Sequence, residues 1–142
     1  MQGLLDLTAP ASAARQQIGP DAWLLKGFAL NDADALLAAI EQIAAQAPFR
    51  HQVTPGGYQM SAAMSSCGAY GWVTDRHGYR YSPQDPQTKQ PWPAMPALFA
   101  ELAERAAQNA GFAHFAPEAC LINRYETGAR MGLHQDKDEQ DF

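Results

Sequence analysis

The residues with the clearest potential for chemistry lie near the C-terminal end, where a single residue separates His134 from Asp136. In a β-strand, side chains i and i+2 leave the same face, so this imidazole and this carboxylate would point together. Two ligands of different type on one face can bind the same divalent metal ion. The same spacing is also common in solvated surface pairs, and a catalytic metal site requires at least one further protein ligand.

A polar strand precedes this pair. The stretch CLINRYETGARMGLHQD predicts a β-hairpin made of a strand, a turn and a second strand, at 120–125, 126–128 and 129–136. Asn123 and Tyr125 would share one face of the first strand, and the hairpin would bring them beside His134 and Asp136. Because each buried polar group needs a partner, this crowding indicates a polar site inside a barrel.

Aromatic and basic residues are interleaved in the middle of the chain, at Trp72, Arg76, Tyr79, Arg80, Tyr81, Lys89 and Trp92. Aromatic rings that stack on bases and cations that bind phosphates are what a nucleic-acid surface requires. Tyr79 and Tyr81 have the spacing of a strand face and could line one cleft. The alternative is that these rings are the hydrophobic core of a small sheet.

Composition limits the remaining possibilities. A chain of 142 residues with 46% hydrophobic content is the right size for one domain. The net charge of −5 excludes strong long-range attraction to phosphates, so nucleic acid would need a local patch. Cys67 and Cys120 are far apart and form no CxxC pair, which argues against a disulfide framework. Without a signal peptide or an apolar run of about 20 residues, we expect a cytoplasmic protein that does not enter membranes.

The sequence pattern assigns several supporting segments. Residues 1–20 lack sustained periodicity and predict a loosely ordered segment, whereas the apolar stretch 22–30 predicts a buried strand. A first helix is expected between a cap at Asn31 or Asp32 and a stop at Pro48. A second helix is expected at about 94–110, with its apolar stripe and its C-terminal glycine at Leu98, Phe99, Leu102, Ala106 and Gly111. Gly- and Pro-rich turns are expected at 55–57 and 77–78.

Three blocks of this sequence resemble a known family in its order and spacing: PFRHQVTPGGYQMSAAMSSCG, GYRYSPQDPQTKQPWPAMP and CLINRYETGARMGLHQDKDE. They are similar to the AlkB family of Fe(II)- and 2-oxoglutarate-dependent dioxygenases, and the similarity runs from about residue 22 to the C-terminus. It implies an α+β, mainly β fold, a cupin-like jelly roll (double-stranded β-helix) with flanking helices and an N-terminal nucleotide-recognition lid at about 50–92. Residues 21–142 would be the N-terminal part of a single such domain, with its barrel incomplete in this chain.

The resemblance also assigns roles to individual residues. His134 and Asp136 correspond to two of the three Fe(II) ligands, and the third is expected outside this chain. The positions that match 2-oxoglutarate binding are Asn123, Arg124 and Tyr125. The positions that match recognition of the flipped methylated base and its backbone are Trp72, Tyr79, Arg80, Tyr81 and Asp138.

The implied activity is oxidative demethylation of N-alkylated bases in single-stranded or duplex DNA, with RNA as a further substrate class. 2-Oxoglutarate and O2 would be consumed, and formaldehyde, succinate and CO2 released, by a monomeric protein. We expect the isolated chain to be inactive because a ligand is missing. Two alternatives stay open: a nucleic-acid-binding fragment without catalysis, and an Fe(II)/2-oxoglutarate oxygenase with another substrate.

Overall fold

A computed structural model describes residues 14–134, which divide into two units, one of residues 14–38 and 97–117 and one of residues 39–96 and 118–134. The strands are β1 (Arg15–Gly19), β2 (Ala22–Leu25), β3 (Ala63–Gly68), β4 (Gly71–Asp75), β5 (Gly78–Ser82) and β6 (Ala119–Arg124). The α-helices are α1 (Ala33–Gln46) and α2 (Ala97–Asn109), and a 3-10 turn (Leu30–Asp32) precedes α1. Among residues 14–134, no helix combines the length and the apolar composition needed to cross a bilayer.

The start of the first unit differs from the sequence prediction. Residues 15–19 were expected to be loose, yet they form β1, which pairs antiparallel with β2. The strand predicted over 22–30 ends at Leu25, because Gly27 adopts a positive φ of 67° and turns the chain. It is also not buried: Ala22 and Leu24 are exposed, while Trp23 and Leu25 are half-buried. Residues 1–13 of the predicted loose segment lie outside the described residues.

Both predicted helices are confirmed. α1 ends two residues before Pro48, and its Ile43 is almost fully buried. The predicted stripe of α2 is half-buried and its Glu101, Glu104 and Arg105 are exposed. At its C-terminus Gly111 has a φ of 94° and donates to the Gln108 carbonyl, while the Phe112 N–H donates to the Ala107 carbonyl at 2.8 Å. This pair of bonds is the glycine-dependent helix end that the sequence predicted.

The second unit contains two antiparallel strand pairs. β3 is buried along most of its length and pairs with β6, and β4 forms a tight hairpin with β5. The turn predicted at 77–78 is confirmed, since Asp75 pairs with Gly78, whose φ of 107° suits glycine. The turn at 55–57 is also confirmed, because the Thr54 N–H donates to the Tyr58 carbonyl at 2.7 Å across it.

The predicted C-terminal hairpin is only partly correct. A strand is present at Ala119–Arg124, and the turn after it is confirmed by the Ala129 N–H, which donates to the Glu126 carbonyl at 2.9 Å. However, β6 pairs with β3 and not with the residues that follow it, and 129–134 is not a strand. The Arg130 N–H instead donates to the Ser61 hydroxyl at 3.1 Å. Positions 135 and 136 of the predicted second strand lie outside the described residues.

A small apolar core supports the second unit, built from Ala47, Val73 and Trp92. Trp92 covers Gly71 so closely that no side chain could replace the glycine hydrogen, and its indole N–H donates to the Ser82 carbonyl at 2.9 Å. Within residues 14–134 the strands make three two-stranded sheets, and none closes into a barrel. The described fold is therefore α+β with many short strands and few helices.

Candidate functional site

One face of β6 carries the polar side chains that the sequence predicted to lie together. Asn123 and Tyr125 share this face, and the Asn123 amide nitrogen lies 3.5 Å from the Tyr125 hydroxyl. Met64 is directly opposite Asn123 in the β3–β6 register, so it belongs to the same face. The Asn123 Oδ1 atom is buried and has no hydrogen-bond partner among the described residues. A buried amide oxygen without a partner is unusual, and a bound ligand, ion or water molecule is one source of the missing bond.

Arg124 does not join this face. It opposes Ala63 in the register and leaves the other side of β6. Its guanidinium lies 4.6 Å from the centre of the Phe49 ring and 3.7 Å from the Glu126 carboxylate. The family resemblance assigned Arg124 to the same co-substrate site as Asn123 and Tyr125, but the alternation of a strand separates it from them.

The candidate metal ligands lie at the end of the described chain. His134 is exposed, and its Nδ1 is 2.9 Å from the Gly132 carbonyl oxygen. In the tautomer that donates from Nδ1, Nε2 carries the lone pair that a metal ion requires. Asp136 and the candidate substrate residue Asp138 lie outside the described residues. Residues 14–134 contain no cluster of three or more His, Cys, Asp or Glu side chains that could hold a metal ion.

The predicted aromatic residues form one face of the β4–β5 hairpin. Trp72 opposes Tyr81, and Thr74 opposes Tyr79, so all four side chains leave the same side. The Trp72 and Tyr79 rings stack with their centroids 5.6 Å apart and their planes at 24°. These three rings are half-buried, unlike Trp92, which is 6% exposed. The core interpretation therefore holds for Trp92 but not for the hairpin aromatics.

Arg80 lies on the other face of this hairpin. Its guanidinium makes two hydrogen bonds of 2.9 Å to the Asp75 carboxylate, and the His77 N–H also donates to that carboxylate at 2.8 Å. The hydrogen bonds from Arg80 are the main reason that the pKa of Asp75 falls to about 2, and the pair raises the pKa of Arg80. The structure therefore does not bring Arg80 together with Trp72, Tyr79 and Tyr81, although sequence reasoning grouped all four.

Gln52 connects the two strand pairs and was missed from the sequence. Its amide oxygen accepts from the Thr74 N–H at 2.9 Å, and its amide nitrogen donates to the Trp72 carbonyl at 3.2 Å. The same nitrogen lies 3.4 Å from the Met64 sulfur. The Gln52 side chain thus makes hydrogen bonds to the β4 backbone that a neighbouring strand would otherwise make, and it also contacts Met64 in the β3–β6 pair. A lone glutamine in an irregular segment carries no sequence signal for this contact.

A buried ion pair was also missed. Asp85 is fully buried and accepts two hydrogen bonds from the Arg50 guanidinium, at 2.6 and 2.7 Å. Burial alone would raise the pKa of Asp85, but the bonds from Arg50 and from the Gln87 N–H at 2.8 Å outweigh it and lower that pKa. Arg50 also exchanges two backbone hydrogen bonds with Met64. The Asp-Pro pair at 85–86 was a sequence signal for a turn, but not for a buried charge.

Comparison with known proteins adds an independent observation. A family model described as the 2OG-Fe(II) oxygenase superfamily matches residues 21–142. The chain is 54% identical to the alpha-ketoglutarate-dependent dioxygenase AlkB of Escherichia coli K12 over 139 residues, which are 98% of this chain and 64% of that protein. The identity and coverage are the same for the AlkB of Salmonella typhimurium LT2. An AlkB homolog of Caulobacter vibrioides is 40% identical over 140 residues and is covered to 62%. The chain thus spans less than two thirds of the length of these relatives.

Proposed function

The chain belongs to the 2OG-Fe(II) oxygenase superfamily, and within it to the AlkB family, and from this premise we propose that it supplies the base-binding and co-substrate-binding surfaces of a nucleic-acid dealkylase. The observation that carries the proposal is the contact made by Gln52. This side chain joins the hairpin that bears Trp72 to the strand pair that bears Asn123. A stacking surface and a polar ligand face are therefore held next to each other in one unit.

The aromatic face suits a base taken out of its stack. Half-buried rings at Trp72, Tyr79 and Tyr81 offer flat surfaces, and stacking is worth about 1–3 kcal/mol per base. The Thr74 hydroxyl oxygen on the same face is buried without a hydrogen-bond partner among the described residues, so it could bond to a polar edge of the base. A methylated base that pairs poorly is also easier to extrude from a duplex.

The polar face suits 2-oxoglutarate. The side-chain amide of Asn123 and the hydroxyl of Tyr125 can each donate or accept a hydrogen bond, and Asn123 Oδ1 lacks a partner within residues 14–134. These residues fit a co-substrate that carries a keto oxygen and carboxylates. Arg124 is not included in the proposed site, since it contacts Phe49 on the opposite face.

We propose Fe(II) as the metal, with His134 and Asp136 as two of its ligands. When bound, iron supplies the oxidation: O2 and 2-oxoglutarate are consumed, an N-methyl group is hydroxylated, and formaldehyde, succinate and CO2 are released. The part of the chain described by the structure contributes the positioning of the base and of the co-substrate. Asp138 is proposed as a substrate contact by family resemblance.

The charge around the hairpin is more favourable to phosphate than the composition indicates. Between residues 71 and 92 there are three basic and two acidic side chains. Asp85 is buried and paired with Arg50, so it contributes little to the field outside, whereas Arg76 and Lys89 are exposed. Arg80 is still partly exposed, and its contact with a phosphate would compete with Asp75. We propose single-stranded or duplex DNA as the substrate, with RNA as a further class.

The wider assignments rest on the same resemblance. We propose a double-stranded β-helix to which β6 contributes a strand, with the nucleotide lid at about 50–92. We also propose that the protein acts as a monomer in the cytoplasm.

Binding of a short single-stranded oligonucleotide that carries one N-methylated base, compared with its unmethylated twin, tests the proposal. We expect tighter binding of the methylated strand, and we expect Trp72→Ala to weaken it about tenfold or more, as loss of one stacking contact predicts. Phe115→Ala is the matched control, because this ring is exposed on a loop of the other unit and should have no effect. The proposal would be contradicted if the chain bound the methylated and unmethylated oligonucleotides equally well, or if Trp72→Ala bound the methylated oligonucleotide as tightly as the unmodified chain does. Either result would favour an oxygenase with another substrate.

A further inference from the structure

Two cysteines that are distant in sequence face each other in the structure. Cys67 in β3 is directly opposite Cys120 in β6. Opposed residues of an antiparallel pair have Cα atoms about 4.5–5.5 Å apart and side chains on one face. Disulfides span Cα separations of about 4.4–6.8 Å, so the register provides suitable geometry. The sequence argued against a disulfide framework from the wide spacing of these residues, and strand pairing removes that objection.

The position of the pair is fixed at the end of the β3–β6 ladder. Beyond it, the Gly68 N–H donates to the Pro93 carbonyl at 2.8 Å, and the Ala69 N–H donates to the Glu118 carbonyl at 2.9 Å. A side chain at Gly68 would collide with the backbone of Glu118. These contacts pin both strands just past the two thiols, so the cysteines cannot drift apart as they could at a frayed end.

The two thiols are not equivalent. Cys67 is completely buried, whereas Cys120 is half-buried. A hydrogen bond from the Cys67 thiol to Cys120 lowers the pKa of Cys120 to about 7, and the same interaction, together with burial, raises the pKa of Cys67. Thiolate character and exposure both favour Cys120 as the first site of oxidation.

We propose that Cys67 and Cys120 form a reversible intramolecular disulfide when the protein meets a peroxide. The Cys120 thiolate attacks hydrogen peroxide, which gives the sulfenic acid at Cys120 and releases hydroxide. The Cys67 thiol then attacks that sulfur, the S–S bond forms and water leaves, so that two thiols and one peroxide give one disulfide and two waters. A dithiol reductant reverses the change.

This modification site is separate from the proposed dealkylase function. The cysteines share a face with Ser65 and Ile122, whereas Asn123 and Met64 are on the other side of the same strand pair. The bond would fix β3 to β6 without touching the polar face. It would also close the long chain segment between residues 67 and 120, which restricts the unfolded state and should raise the denaturation midpoint.

The test oxidises the folded 142-residue chain with hydrogen peroxide, blocks remaining thiols in denaturant and measures the intact mass and the linked peptides. We expect both thiols to be lost together, with the mass of a monomer lacking two hydrogen atoms, a cross-linked peptide that contains Cys67 and Cys120, and full recovery with dithiothreitol. Two unlinked oxidised cysteines, a disulfide between two chains, or persistence of both thiols until the protein unfolds would overturn the proposal.

Single variants provide the second readout. In Cys67→Ser, the thiol of Cys120 has no resolving partner and should proceed to sulfinic or sulfonic acid that dithiothreitol does not reverse. In Cys120→Ser, the buried thiol of Cys67 should react roughly tenfold more slowly. Equal oxidation rates in the two folded variants would contradict the assigned order. If a variant fails to fold, the linked peptide of the unmodified sequence still decides the proposal.

Discussion

The β4–β5 hairpin and the β3–β6 pair present the same arrangement through different kinds of pairing. In each, one face carries polar or aromatic side chains, while the opposite face is tied to the rest of the unit, by Val73 with Ala47 and Trp92 in the hairpin and by Arg124 with Phe49 in the other pair. The hairpin is local, with two residues between its strands, whereas β3 and β6 are joined by the long segment between them. In both strand pairs, contacts on one face thus hold the strands in place, and the side chains proposed to bind ligands lie on the other face.

The largest expected effect comes from the buried pair that links these two regions. Arg50 pairs its backbone with Met64 in β3 and its guanidinium with Asp85, in the segment after β5. Asp85→Asn would leave the guanidinium of Arg50, which is only 15% exposed, without its carboxylate partner, and breaking a buried pair in this way costs about 3–5 kcal/mol. We therefore expect the free energy of unfolding, measured by urea titration, to be lower in Asp85→Asn than in the unmodified chain by about that amount.

The matched control is Glu126→Gln, which removes a carboxylate from an exposed pair with Arg124 at 3.7 Å. That change should cost less than about 1 kcal/mol. If Asp85→Asn unfolded no more easily than Glu126→Gln, the two regions would not depend on the buried pair.

A medium effect is expected from the amide that bridges the same regions on the ligand side. Gln52→Ala leaves the Thr74 N–H and the Trp72 carbonyl without their side-chain partner, which should cost about 1–3 kcal/mol. The more specific readout is hydrogen exchange at the Thr74 amide, which should lose its protection. Gln52→Glu keeps the acceptor oxygen and should retain that protection.

Gln42→Ala, at an exposed position of α1, serves as the control and should change neither measurement. Unchanged exchange at Thr74 in Gln52→Ala would mean that β4 is held by its partner strand alone. The hairpin would then be independent of the β3–β6 pair, contrary to the role given to Gln52.

The contrast between the two regions also explains how much could be predicted from sequence. The hairpin turn at His77-Gly78, both helices and the glycine that ends α2 follow from local preferences, and all are present. The position of β6 was predicted correctly, but its predicted partner was wrong. The sequence favoured a hairpin with the segment that follows β6, whereas β6 pairs with the buried strand β3. The face shared by Asn123 and Tyr125 needed only strand alternation. Strand alternation also puts Arg124 on the opposite face, whereas the contacts of Gln52 and the opposed cysteines depended on long-range packing.

The smallest expected effect lies on the supporting face of the hairpin, where Arg80 and Asp75 are both about one third exposed. The pKa of Asp75 is about 2 in the folded protein, below its ordinary value of 3.8, so the pair stabilises the fold above about pH 4 and this contribution is lost as the pH falls towards 2. Exposure limits the contribution to less than about 1 kcal/mol. We expect Arg80→Gln to be slightly less stable at pH 6, and the difference from the unmodified chain to disappear near pH 2, in urea titrations at both pH values.

The stacked rings of Trp72 and Tyr79 are on the opposite face, so their near-ultraviolet circular dichroism should not change. A difference that persisted at low pH, or a change in the aromatic signal, would show that Arg80 supports the ligand face directly and not through Asp75.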